Sequence, residues 1–186
     1  MAKVKILVEG YLSKDTGGHT CPTISLVEDD NIKMIVDPGS TKDQDVIVNA
    51  LKKENLTSSK INYICLTHDH VDHFKNIGMF SQAKIVEYFG IWGTGDIDPE
   101  KDLPETLSEN IQIIKTPGHD RTGISLIVKT DLGRIAIVGD VFWQKDYPKK
   151  DIYASDVREL NKSRAKILKL ADYIIPGHGK MYKVKD

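Results

Sequence analysis

The chain has 186 residues, of which 40% are hydrophobic and 28% charged, enough for one domain with a real core and too few for two ordinary ones. Lys and Arg number 26 against 27 Asp and Glu, a formal net charge of -1. That balance excludes a global polyanion-binding footprint, although a local basic face stays open. The opening MAKVKILVEG holds too short an apolar run for a signal peptide, and no stretch is long enough to span a bilayer. Cys21 and Cys65 lie far apart and form no CxxC, so no disulfide framework is expected and a reducing cytoplasm is the expected location.

In chain order, KVKILVEGYL (3–12), TISLVED (23–29) and NIKMIVDPG (31–39) read as strands, with a tight hairpin turn at Asp29-Asp30. DQDVIVNALKKENL (43–56) places Val46, Ile47, Ala50, Leu51 and Leu56 at helical spacing. INYICLT (61–67) is a nearly continuous apolar run, as in a strand buried on both faces, which makes Cys65 a core thiol. AKIVEYFGIW (83–92) reads as strand then loop, and GTGDIDPEKDLPE (93–105) as an exposed, turn-rich stretch. Three further strands are expected at 110–118, 122–130 and 133–140, the last two joined by a turn at Asp131-Leu132-Gly133. A helix over 154–173 would start from Ser155 as N-cap, with Val157, Leu160, Ile167, Leu168 and Ala171 as its apolar stripe and its cations turned outward. DYIIPGHGK adds a last strand and loop. Strands in two batches, each followed by a helix, imply sheets packed between helices in one domain over 1–186.

The segment THDHVDH (67–73) packs three histidines and two aspartates into seven positions. No folding need explains that density, since His and Asp suit strands poorly and five ionisable groups in one turn compete. His68, His70, His73, His119 and His178 all follow strand-like runs, in CLTHDHVDH, IIKTPGHD and YIIPGHG, and Asp140 does the same in AIVGD. Side chains at the ends of several strands can converge on one rim of a sheet, and imidazoles with carboxylates suit zinc, iron or manganese. Taken singly, His119 and His178 would be satisfied loop histidines, Asp140 a turn residue and Asp37 a turn-forming Asp before Pro-Gly. Taken as an ordered set they read as ligands.

That order, H-x-H-x-D-H, then TPGH, then GD, then PGHG, with Asp37 of VDPG ahead of it, resembles the metallo-β-lactamase superfamily pattern. The stretch from TPGH through GDVF, NKSR and ADYIIPGHG is similar to the small subgroup of metallo-β-lactamase domain-containing proteins. The resemblance implies a four-layer αββα sandwich with a dinuclear site at one edge of the sheets. It gives His68, His70 and His119 to a first metal, Asp72, His73 and His178 to a second, and Asp140 as the bridge. Asp72 and Asp140 become the catalytic carboxylates, and Asp37 holds the motif loop from behind. Two divalent cations, zinc in the first instance with iron or manganese as alternatives, would neutralise the crowded cluster and lower the pKa of a shared water. Metal-dependent hydrolysis of a small ester, thioester or lactone is the expected activity. A phosphodiesterase or ribonuclease acting on nucleic acid is the second reading, resting on the subgroup and the basic helix. An iron-dependent persulfide oxygenase or a non-catalytic metal-binding scaffold are the remaining ones. Phe74-Lys75 stand where the family pattern usually has a glycine, which reshapes the surroundings of the second metal.

His19, in the glycine-containing TGGHTCP, is either an exposed loop histidine or a substrate-holding or proton-donating group reaching over the metals. Trp92, Phe142, Trp143 and Tyr147 are candidates for a cleft wall, and Asp69 is expected to face solvent. A small molecule is the expected partner, without a membrane.

Overall fold

The computed structural model describes residues 1–93, 95, 99 and 101–184. Part of the turn-rich stretch at 93–105 thus lies outside the described residues. Twelve strands form among them: β1 (Lys3–Val8), β2 (Ile24–Asp29), β3 (Ile32–Val36), β4 (Tyr63–Cys65), β5 (Lys84–Glu87), β6 (Gly90–Trp92), β7 (Lys101–Asp102), β8 (Ile111–Lys115), β9 (Ile124–Thr130), β10 (Gly133–Ile137), β11 (Tyr173–Ile175) and β12 (Tyr182–Lys183). The α-helices are α1 (Ser13–Thr16), α2 (Asp45–Lys53), α3 (Val71–Phe74) and α4 (Val157–Leu170). One sheet runs β1-β2-β3-β4-β5-β6-β7 and the other β12-β11-β10-β9-β8.

Side-chain alternation along nearly all-apolar strands sorts the core into layers. Val27, Met34 and Val36 of the first sheet meet Leu126, Val128, Ile135 and Ile175 of the second in one cluster between the sheets. Their neighbours Leu26, Ile35 and Ile64 face the other way and pack with Ile47 and Leu51 of α2. Ile127, Ala136 and Ile174 likewise pack outward with Leu160 and Ile167 of α4. The result is the expected four-layer αββα sandwich.

Pairing direction sets where functional loops emerge. β3, β4 and β5 are mutually parallel. In the second sheet β10 is parallel to β11, and both β8 and β10 are antiparallel to β9. Hence β3 and β4 end at one edge of their sheet, and β8, β10 and β11 end together at one edge of theirs.

Local expectations need three adjustments. Residues 88–92 do not form a loop: β5 and β6 make a hairpin around Tyr88-Phe89, with Glu87 opposite Gly90. The first loop-facing Trp thereby becomes a strand residue, Trp92, whose indole N–H donates to Glu87. Helix α4 is capped by Asp156, not Ser155: the Asp156 carboxylate accepts from the Arg158 and Glu159 amides. Ser155 instead donates from its hydroxyl to the Gly118 carbonyl at 3.3 Å. On α4 the buried stripe is Leu160, Ser163 and Ile167, while Val157 and Leu168 are 52% and 46% exposed. A small residue at 163 lets the helix lie close to the loop before His119, where the Ser163 hydroxyl donates to the Pro117 carbonyl. Among the described residues no helix is long and apolar enough to cross a membrane.

Candidate metal centre

Strand β4 stops at Cys65, and the chain turns through Leu66 to His70 before the single turn of α3. That turn places His73 one helical step beyond His70, whose carbonyl accepts from the His73 amide at 2.9 Å. From the second sheet, the loop after β8 supplies His119, the short turn after β10 supplies Asp140, and the loop after β11 supplies His178. All seven residues expected as ligands meet. Their donor atoms form two clusters, His68, His70, His119 and Asp140 in one and Asp72, His73 and His178 in the other, each with its atoms within 4.8 Å of one another.

The distances fit metal coordination. His68 Nε2 and His119 Nε2 lie 3.0 and 3.1 Å from His70 Nδ1. Asp140 Oδ2 is 3.6 Å from His119 Nε2, while its Oδ1 is 3.4 Å from His73 Nε2 and 3.2 Å from His178 Nε2. Asp72 Oδ2 completes the second group at 3.9 Å from His73 Nε2 and 3.6 Å from His178 Nε2. Donors about 3.3 Å apart are what bonds of about 2.0–2.1 Å require around a tetrahedral ion. The two oxygens of Asp140 therefore face the two clusters separately. His73 Nε2 and Asp140 Oδ1 are buried without a hydrogen-bond partner, an arrangement that is costly unless something else satisfies them. Bound divalent cations would do so, and the residues present fit such a group.

Four of the five inward nitrogens are aimed by a partner behind the ring, as ligand histidines require. His73 Nδ1 lies 2.8 Å from Asp37 Oδ2. That carboxylate also accepts from the Thr67 hydroxyl at 2.7 Å, and its Oδ1 accepts from the Thr67 amide at 2.9 Å. Asp37 thus ties the end of β3 to the end of β4, and does so with a left-handed φ of 50°, a conformation Asp tolerates better than most residues. Thr67 Oγ1 in turn lies 3.1 Å from His68 Nδ1. His178 Nδ1 donates to the Cys21 carbonyl at 2.9 Å. His119 Nδ1 sits 2.7 Å from Asp151, whose side chain is fully buried. Four of five imidazoles are therefore held by Nδ1 and turn Nε2 inward; only His70 turns Nδ1.

Two glycines make the approach possible. A Cβ on Gly177 would stand 1.9 Å from Asp140 Oδ1, and one on Gly139, whose φ is 51°, would stand 2.2 Å from Thr67 Oγ1.

Without cations, the electrostatics are those of a crowded, buried charge cluster. Burial opposes charge on His73, but Asp37 and Asp140 outweigh it and hold this imidazole well above its usual pKa. His178 is raised too, with Asp140 overcoming burial. Burial and then the His73 charge push His68 well down. Asp140 is held well below the ordinary carboxylate range because His178 and His73 outweigh its burial. Protons on His73 and His178 thus balance the shared carboxylate where cations would.

Asp151 carried no sequence signal, lying in an irregular stretch 32 residues from the ring it holds. Trp143 Nε1 is 3.3 Å from His119 Nδ1, and its indole stacks on Tyr153 with centroids 5.6 Å apart. Tyr147 meets Trp143 edge-on; of the four aromatics only Trp143 stands against His119, while Phe142 lies under Arg164 and Trp92 sits on β6. Asn76 is buried and donates from its amide side chain to the Pro38 carbonyl and the Thr41 hydroxyl, pinning the loop beyond Phe74-Lys75. His19 is exposed, with its backbone held by Thr16, and belongs to neither donor cluster. Asp69 is exposed, as expected.

Comparison with known proteins agrees with this geometry. The profile described as the metallo-beta-lactamase superfamily matches residues 22–105. A Xenopus laevis relative named metallo-beta-lactamase domain-containing protein 1 is 32% identical, covering 97% of this chain and 81% of its own. A Methanocaldococcus jannaschii relative described as a "Probable metallo-hydrolase" is 33% identical, covering 98% of this chain and 90% of its own. Among solved structures, a Thermotoga maritima protein of the metallo-beta-lactamase type superposes with a TM-score of 0.75 at 20% identity, over 98% of this chain and 99% of that one.

Proposed function

Since the chain belongs to the metallo-beta-lactamase superfamily of hydrolases, we propose that it uses two zinc ions to hydrolyse a small ester, thioester or lactone. The observation that carries this reading is Asp140, one oxygen facing each donor cluster and one of those oxygens buried without a hydrogen-bond partner. Cations held by these residues would supply a Lewis acid for a scissile carbonyl and an acidified water for its hydrolysis. The chain's own part is positional. Asp37, Thr67, Asp151 and the Cys21 carbonyl fix the ring faces, so little reorganisation is left for the reaction itself.

An acyl substrate is supported by the rim. His70 and Asp72 are the partly exposed donors, and Asp72 keeps 28% of its side chain open. Val71 in the motif turn, and Ile152 and Tyr153 beside Asp151, are 65%, 73% and 64% exposed, an apolar margin suited to a short acyl chain. Nucleic-acid cleavage finds less support. Lys162, Lys166 and Lys169 of α4 line a groove with β8 that includes no donor residue.

The test is a substrate panel of thioester, lactone, phosphodiester and β-lactam, run beside metal quantification of protein purified without added metal. Turnover of thioester or lactone with two zinc ions per chain is expected. Preferential phosphodiester turnover, or iron with oxygen consumption, would replace the proposal.

A further inference from the structure

A cavity of about 600 Å3 lies beside the segment that follows Asp140, lined among others by Phe142, Lys145, Arg164, Leu168, Tyr182 and Val184. None of the seven donor residues lines it. Its volume falls within the range of about 300–1,000 Å3 typical of small-molecule sites. Phe142, Leu168 and Val184 give it apolar walls.

Two of its polar groups, on Arg164 and Tyr182, have few protein partners among the described residues. Arg164 is half-buried, and its Nε donates to the Val141 carbonyl at 2.8 Å while its Cζ lies 5.5 Å from the Phe142 ring centre. Among the described residues no carboxylate pairs with it. Burial lowers its pKa, partly offset by Asp151 and Tyr182. Tyr182 is also half-buried, and its hydroxyl makes no hydrogen bond among the described residues. Burial, aided by Asp146, pushes that phenol up to about 12, so it stays an O–H donor at any ordinary pH. Lys145 Nζ stands 6.0 Å from the Tyr182 ring centre, and Lys149 lines the same cavity. Asp146 is the one acid in the lining. A guanidinium partly stripped of water, with fork nitrogens left over, is a strong receiver of a planar or tetrahedral oxyanion.

A larger groove, of about 880 Å3 between β8 and α4, shows the contrast: Lys115, Lys162, Lys166 and Lys169 in it are all exposed, where water screens each charge.

We propose that the smaller cavity binds a small amphiphilic oxyanion, its carboxylate or phosphate held by the Arg164 guanidinium and the Tyr182 hydroxyl and its apolar body lying between Phe142 and Leu168. The site is separate from the metal centre and does not depend on which substrate is hydrolysed there.

The test follows methyl resonances of Leu168 and Val184 in the metal-loaded full chain during titration with benzoate, phenyl phosphate and the neutral benzamide. Benzoate or phenyl phosphate should shift them saturably, with benzamide at least about 10-fold weaker. Arg164→Gln should weaken the anions at least about 10-fold, and Tyr182→Phe about 5-fold, the loss of one hydrogen bond. Leu168→Asp, at an exposed position, should abolish binding without unfolding the chain, and keeps the test valid should the arginine variant fold poorly. No saturable shift, equal binding of benzamide, or anion binding indifferent to Arg164→Gln and Leu168→Asp would overturn the proposal. Anions captured by the metal centre alone would give that last result.

Discussion

The two sheets furnish the two halves of the candidate centre in different ways. From the first sheet come His68, His70, Asp72 and His73, all within one turn after β4, backed by Asp37 from the neighbouring strand end. From the second come His119, Asp140 and His178, single residues from three strand ends, backed by Asp151 and by the Cys21 carbonyl. The first half is local, so its register is set by a few backbone bonds and one carboxylate. The second is assembled by tertiary structure, and its accuracy depends on strand pairing and on close glycine approaches. The compact half should therefore tolerate distant changes that the dispersed half does not.

The largest effect is expected at Asp140, whose two oxygens face the two donor clusters. Asp140→Asn keeps the shape and removes the charge, and should lower metal affinity and turnover by more than about 100-fold, beyond what loss of an outer partner costs. Gly177→Ala should approach the same outcome without touching a donor, because its Cβ would collide with Asp140 Oδ1. Titration calorimetry with zinc measures both; near-normal affinity in either variant would contradict the dispersed assembly.

The backing carboxylates sharpen the contrast. Asp37→Asn and Asp151→Asn should each reduce metal affinity about 10–100-fold, since an amide cannot hold the same imidazole tautomer as firmly. Asp37→Ala should in addition cost about 3 kcal/mol of stability, because it also frees the Thr67 amide and hydroxyl inside the core. Chemical denaturation separates the two aspartates: Asp37 variants lose stability as well as metal.

Metal removal gives a pH signature. In the chelated protein the raised pKa values of His73 and His178 contribute stability that is full below about 6.5, the unfolded value, and is lost as pH rises through the folded values. The lowered Asp140 works oppositely, present above its unfolded value and lost only in acid. His68, pushed down, works against them over the same range, but one group offsets only part of two, so the melting temperature of the chelated protein should fall from pH 6 to pH 8. The loaded protein should not follow, because neutral imidazoles bind metal better. A gap between loaded and chelated forms that narrows with rising pH would contradict this.

The smallest effect belongs to the cap of α4. Asp156→Ala should cost about 1 kcal/mol. The neighbouring Ser155 amide donates to the His119 carbonyl, so a modest loss of metal affinity should accompany it.

Legibility in the sequence follows the same division. THDHVDH declares itself by density, and the strands on either side by apolar runs. His119, Asp140 and His178 become ligands only as an ordered pattern, because each stands alone in its own loop. Asp151 was invisible: its link to His119 crosses an irregular segment that no periodicity describes. The Ser155 and Asp156 pair shows the limit at finer scale, since both can cap a helix and only the packing of Ser155 against Gly118 decides between them. The hairpin at Tyr88-Phe89 was hidden because two aromatics at a turn look like strand sequence.

The most direct test is metal content per chain, measured by mass spectrometry on purified protein and on variants of each half. Two divalent ions per chain are predicted, falling to one in His178→Ala and to fewer than two in Asp140→Asn. A single ion that survives loss of His178 and is indifferent to Asp140 would contradict a shared, two-cation centre.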